Sequence, residues 1–141
     1  MKNLSLWIIL LAFSSGLTFA CNSSTSSNSA AKPAENISAQ ETQGLLVNGF
    51  AVLVDVREAD EIKDGMAAPA QWIPFSKIEA GAPEWKAFQD KHPKDKKVIF
   101  YCRSGKRAGK AADLLREKGF QAANMGGFSS WTAAGLPSKK P

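Results

Sequence analysis

Cys102 ends the apolar stretch Lys97-Val98-Ile99-Phe100-Tyr101. It opens a short basic one, Cys102-Arg103-Ser104-Gly105-Lys106-Arg107, after which Ala108 onward recurs at helical spacing. A buried strand feeding a tight, glycine-containing loop and a helix start aims backbone N–H groups at one point, and the helix N-terminus favours negative charge there. A cysteine at that point is stabilised as its thiolate, so its pKa is expected below the ~8.5 of a free thiol. Three of the six loop residues are cationic. This chemistry suits a cysteine nucleophile that carries a group covalently. The competing reading is an inert buried cysteine, and the basic loop weighs against it.

The other residues that could do chemistry are fewer. Asp55 ends a second apolar run, with Arg57 two residues on. Both are read as bracing the site: Asp55 accepts hydrogen bonds from loop N–H groups or pairs with an arginine. His92, the single histidine, sits at a helix end before Pro93, which suits surface capping better than a Cys–His dyad. Trp85 and Trp131 are read as core. No group of His, Cys, Asp and Glu has metal-site spacing.

The surrounding pattern alternates helices and strands. Ser38 to Asn48 reads as a helix with Ser38 as N-cap and Glu41 at the capping-box position. Phe50 to Val56 is nearly all apolar, as a strand covered on both faces should be. Glu58 to Lys63 reads as a short polar helix stopped by Gly65, Gln71 to Pro74 as an extended piece, and Ser76 to Ile78 as a helical turn. Pro83 to His92 is predicted helical, Val98 to Tyr101 a strand. Lys106 to Lys118 is a helix with Ala108, Ala111, Ala112, Leu114 and Leu115 inward. Gln121 to Met125 reads as a last strand, and Gly126-Gly127 as a turn into a helix over 128–133. The expected fold is α/β, with a mainly parallel central sheet flanked by helices. Such sheets place sites beyond the C-terminal ends of their strands, where Asp55 and Cys102 both fall.

The first twenty residues read as an export signal: Lys2, then the apolar run Leu6 to Phe13, then small and polar residues ending at Ala20. The run is short of the ~20 apolar residues of a span. Ala20-Cys21 resembles a bacterial lipoprotein junction, although Leu17 is one place early and Phe19 stands where a small residue is usual. Cys21 is therefore the expected lipidation site, with plain signal cleavage as the alternative. Residues 21–37 are rich in Ser, Asn and Ala and read as a tether; residues 38–137 form one domain, and 138–141 a tail. The expected location is the periplasm or cell envelope. The small positive charge is dispersed and has no aromatic interleaving, which argues against nucleic acid and modestly favours small anionic substrates. If Cys21 carries lipid at its sulfur, Cys102 has no intramolecular disulfide partner.

Taken together, these motifs resemble the rhodanese, or sulfurtransferase, family over about Ser38 to Pro137. Asp55-Val56-Arg57-Glu58, with Glu61 and Ile62, is similar to the first family motif. Gly65, Ala70, Ile73 and Pro74 fit the second, G-H-I-x-G-A-x-x-I-P. Cys102 to Arg107 matches the six-residue catalytic loop, and Gly126-Gly127 with Trp131 the C-terminal motif. Met66 replaces the usual His of the second motif, Pro69 the usual Gly, and Trp72 a commonly polar position. Met66 and Trp72 are read as walls of the site. The resemblance implies that Cys102 takes a sulfane sulfur from a small anionic donor such as thiosulfate and passes it from a persulfide to a thiol or cyanide, with no metal or organic cofactor. It makes Arg103, Lys106 and Arg107 candidates for attracting the donor, with Ser104 and Gly105 completing the cradle. A persulfide carrier without fast turnover stays open. So does, more remotely, a cysteine phosphatase or arsenate reductase.

Overall fold

The computed structural model describes residues 33–141. Its centre is a five-stranded, all-parallel sheet with strand order β1-β6-β5-β2-β4, made of β1 (Glu35–Asn36), β2 (Ala51–Asp55), β4 (Gln71–Trp72), β5 (Lys97–Cys102) and β6 (Ala122–Gly127). β3 (Met66–Ala67) and β7 (Ser138–Lys139) form a separate antiparallel pair. The helices are α1 (Ala39–Val47), α2 (Phe75–Glu79), α3 (Pro83–Lys91), α4 (Lys106–Glu117) and α5 (Phe128–Ala133). The α/β architecture with a mainly parallel sheet is thus as the apolar pattern predicts.

Strand parity sorts the core into two layers. Val98, Phe100 and Cys102 face one side, with Ala108, Ala111, Ala112 and Leu115 of α4 and Trp85 and Phe88 of α3. Ile99 and Tyr101 face the other, with Leu53, Met125 and Trp131. Alanines on the inner stripe of α4 let that helix lie close to the sheet. Because side chains alternate along a strand, Cys102 emerges on the α4 side and Tyr101, one residue earlier, on the α5 side.

Several local expectations change. Residues 58–63 are turns and not a helix, with i→i+3 bonds from Glu61 N–H to Glu58 O and from Gly65 N–H to Ile62 O. The backbone groups a helix would use are taken by side chains: Arg57 donates to Glu61 O and Gly65 O, and the Glu61 carboxylate accepts from Glu58 N–H. Leu114 is exposed, since the inward stripe runs through Ala108, Ala111, Ala112 and Leu115 and misses it. Phe50 lies outside β2 and is exposed. β6 continues through Gly126 and Gly127. The sheet begins inside the stretch read as a tether: Glu35 and Asn36 pair with β6, and Ile37 is buried. Ser138 and Lys139 of the tail pair with β3. The signal segment and Cys21 lie outside the described residues.

Candidate active site

The nucleophile's position follows from a strand, a loop and a helix read in order. β5 pairs on both sides, with Asp55 opposite Tyr101 and Gly127 opposite Cys102. This fixes Cys102 at the end of the strand, fully buried. The chain then turns through Arg103 and Ser104 to Gly105, which caps α4 with φ +90°. L-residues rarely adopt that conformation, and a Cβ there would sit 3.0 Å from Gly126 Cα. Gly127 is needed for a different reason. Its φ is ordinary, but a Cβ would lie 2.6 Å from the Arg103 carbonyl oxygen, so the loop's backbone rests directly on β6.

The turn folds the loop around sulfur. Gly105 N–H donates to Cys102 Sγ at 3.1 Å. Burial pushes the thiol's pKa up, and the backbone N–H groups of Ala108, Ser104, Gly105 and Arg107 outweigh it, leaving the thiol below its ordinary range. The side chains of Arg103, Ser104 and Lys106 radiate to solvent. Arg107 instead turns to Glu61, donating from its two terminal nitrogens to the two carboxylate oxygens at 2.6 and 2.7 Å. The pair raises the Arg107 pKa and holds Glu61 at about 2 against an ordinary 4.5, the Arg107 hydrogen bonds being the main cause.

On the opposite face of the sheet, Asp55 braces by pairing with an arginine and not by reaching the Cys102 loop. Its buried carboxylate accepts from the Arg57 side chain at 2.6, 3.0 and 3.1 Å and from Arg57 N–H at 3.0 Å. Burial opposes the Arg57 charge, and the Asp55 carboxylate overcomes that and raises its pKa. The same guanidinium lies 4.3 Å above the Phe128 ring. Tyr101 accepts a hydrogen bond from Ala67 N–H, while burial and then the Asp55 charge raise its pKa.

A cavity of about 420 Å³ opens beside the loop, lined by Arg57, Glu61, Arg103, Phe128, Ser129 and Thr132. Of the three loop cations, Arg103 is the one that lines it, Lys106 points to solvent and Arg107 is held by Glu61. Glu61 is noted in the sequence only as part of the first motif, and Phe128, Ser129 and Thr132 of α5 are not selected there; all four line the cavity. A carboxylate one turn past Arg57 was the available signal for Glu61; nothing in the sequence marks the hydroxyls. Met66 is not a wall: it is buried with Tyr101 and Trp131. Trp72 is half-exposed, and its indole N–H donates to Arg57 O without lining the cavity. His92 caps α3 and stacks on Phe88, at the other end of the sheet. Trp85 and Trp131 are core. Among the described residues no His, Cys, Asp and Glu cluster could hold a metal ion.

Residues 38–134 match the family model of the rhodanese-like domain. The chain is 36% identical over 92 residues to a sulfurtransferase from Allochromatium vinosum, covering 64% of this chain and 79% of that protein. It is 35% identical over 107 residues to the human thiosulfate:glutathione sulfurtransferase, covering 70% of this chain and 93% of that one. Among solved structures, a rhodanese-related protein from Thermoplasma volcanium aligns with a TM-score of 0.63 at 27% identity, covering 76% of this chain and 99% of that chain.

Proposed function

The chain belongs to the rhodanese-like domain family, as a sulfurtransferase of that family, and from this premise we propose that it moves sulfane sulfur from thiosulfate to a nucleophilic acceptor through a persulfide on Cys102. The Cys102 thiolate attacks the outer sulfur of thiosulfate. A new S–S bond forms, the bond between the two donor sulfurs breaks, and sulfite leaves with its electron pair. A thiol or cyanide then attacks the outer sulfur of the persulfide, and the Cys102 thiolate is regenerated. No external oxidant or reductant enters the balance. The observation that carries this reading is the cradle itself: a buried sulfur under Gly105 N–H, at the start of α4, in a loop whose Arg103 lines the neighbouring cavity. The inward N–H groups suit the outer sulfur of a persulfide as well as the resting thiolate. Arg103 supplies the charge that attracts the donor.

After thiosulfate treatment, intact-mass analysis should show the wild-type chain heavier by one sulfur atom, and cyanide should remove it. Cys102→Ser should fold and stay unloaded; a loaded Ser variant would overturn the assignment. Steady turnover with thiosulfate and a small thiol separates an enzyme from a carrier. Phosphoryl transfer is disfavoured by loop size: only four residues separate Cys102 from Arg107, where cysteine phosphatases have five. An aryl phosphate should give no activity above background.

The mature protein is proposed to act outside the cytoplasm, in the periplasm or cell envelope, held through a lipid on Cys21. Support comes from the apolar run Leu6 to Phe13 and the Ala20-Cys21 junction. Metabolic labelling with a fatty-acid analogue, lost in Cys21→Ala, tests it.

A further inference from the structure

Five parallel strands give the domain two unlike ends. Cys102 and the cavity beside its loop lie at the C-terminal ends of the strands. The N-terminal ends are covered by the connections α1–β2, α3–β5 and α4–β6. Val47, 74% exposed, and Phe50, 66% exposed, stand together on the first of these. A cavity of about 360 Å³ runs from Leu45 and Phe50 past Pro93 to Lys96 and Gln121. Lys94, Lys96 and Lys118 belong to the other two connections, with Lys91 at the end of α3, against Asp95 and, at the end of α4, Glu117. Lys94 Nζ donates to Lys118 O at 2.8 Å and ties two of the connections together.

The chain also enters the domain at this end. Arg116 donates to Pro33 O and Ala34 N–H to the Asp113 carboxylate, each at 2.7 Å. From there β1 runs parallel to β6, towards the catalytic end. The chain between Cys21 and Pro33 can span at most about 40 Å. A tether from Cys21 joins the domain at this end, and Cys102 lies about 20 Å farther along the strands.

Exposed Phe and Val flanked by lysines are the composition that seats at a headgroup boundary: apolar groups enter the acyl edge while lysine stems keep their charges among anionic headgroups. We infer that Val47, Phe50 and the lysines of the α3–β5 and α4–β6 connections form a docking face for an anionic lipid surface, which turns Cys102 away from the bilayer. The inference rests on the reading of Cys21 as the anchor. It adds an orientation: the cavity faces the aqueous side, where small anionic donors and soluble thiols arrive unobstructed.

The test is hydrogen exchange on the full processed chain, with vesicles of phosphatidylcholine alone or mixed with phosphatidylglycerol, for wild type, Cys21→Ala and the double variant Val47→Ser/Phe50→Ser. On the mixed vesicles, amides of residues 47–50 and 94–97 should exchange about tenfold more slowly in wild type. The double variant should lose that protection while its persulfide loading in solution stays at the wild-type rate. Vesicle-bound wild type with no protection there, or with protection at Trp72 and Arg103 to Gly105, overturns the docking face and leaves the anchor intact. Cys21→Ala that binds as wild type and keeps the pattern sustains the face and sinks the anchor. Protection that appears without vesicles as protein concentration rises assigns the face to a second copy and overturns the proposal.

Discussion

Two loops flank the sulfur and are built by opposite means. The turn over residues 103–105 is made of backbone: its N–H groups point at Cys102, its side chains radiate outward, and Gly127 lets its carbonyl lie against β6. The loop over residues 56–65 is made of side chains: Arg57 holds Asp55, Glu61 O and Gly65 O, and Glu61 reaches across to Arg107. The first presents dipoles that cannot be titrated. The second places charge but cancels most of it locally, leaving Arg103 as the loop cation at the cavity. A backbone cradle tolerates changes of outward side chains and fails on a single Cβ, whereas a side-chain loop depends on the identity of one or two residues.

Removing the centre of the side-chain loop should have the largest effect on stability. Arg57→Ala leaves the Asp55 carboxylate buried without its partner and strips two carbonyls of a donor. Breaking a buried pair this way costs about 3–5 kcal/mol, which a urea denaturation midpoint will read. Arg57→Lys should recover only part of that, because an ammonium lacks the fork that serves Asp55 and two carbonyls at once. A loss under about 1 kcal/mol would mean that Arg57 does not hold the loop.

Gly127→Ala tests the backbone turn. The new Cβ meets the Arg103 carbonyl at 2.6 Å, and both partners are main chain, so the turn must move. Overpacking of this kind costs about 1–3 kcal/mol. Displacing the cradle by an ångström should slow sulfur loading about a hundredfold. The pH midpoint of Cys102 alkylation should rise towards that of a free thiol as the N–H groups lose their aim. Ser104→Ala, on an exposed outward side chain, should leave loading and midpoint unchanged; if the two variants behave alike, the turn is not a backbone device.

Glu61→Gln should have the smallest effect. Glutamine keeps an oxygen that can accept from Arg107, and both side chains retain some solvent contact, at 20% and 28% exposure, so the change should cost about 1 kcal/mol. The sign with pH follows from the lowered carboxyl. The folded protein holds Glu61 at about 2, below its ordinary 4.5, so the pair contributes fully above pH 4.5 and fades as pH falls towards 2. The stability gap between wild type and Glu61→Gln should therefore close over that interval. A gap that is constant with pH would assign the effect to packing.

The parts that were legible in the sequence are those whose causes lie within a few residues. An apolar run at 51–55, a Ser38 cap, an alanine stripe on α4 and a glycine after a cysteine each act through neighbours in the chain. The position of Cys102 and the direction of its pKa follow from such local order, because a strand, a short turn and a helix start leave the N–H groups little other place to point. The resemblance of the four motifs to a sulfurtransferase family was legible for the same reason.

The rest was decided by contacts between distant residues. A polar stretch at 58–63 has helical composition, but Arg57, anchored on Asp55, competes for its carbonyls and wins because both charges are buried. Asn36 becomes a strand residue only because β6 offers an open edge. The Arg107–Glu61 pair joins positions 46 residues apart, and the cavity takes one wall from each of three separate segments. Periodicity and turn chemistry are written in the chain; which arginine remains available at the cavity depends on where every carboxylate comes to rest once the sheet has closed, since charges are cancelled by distance in space and not by distance in sequence.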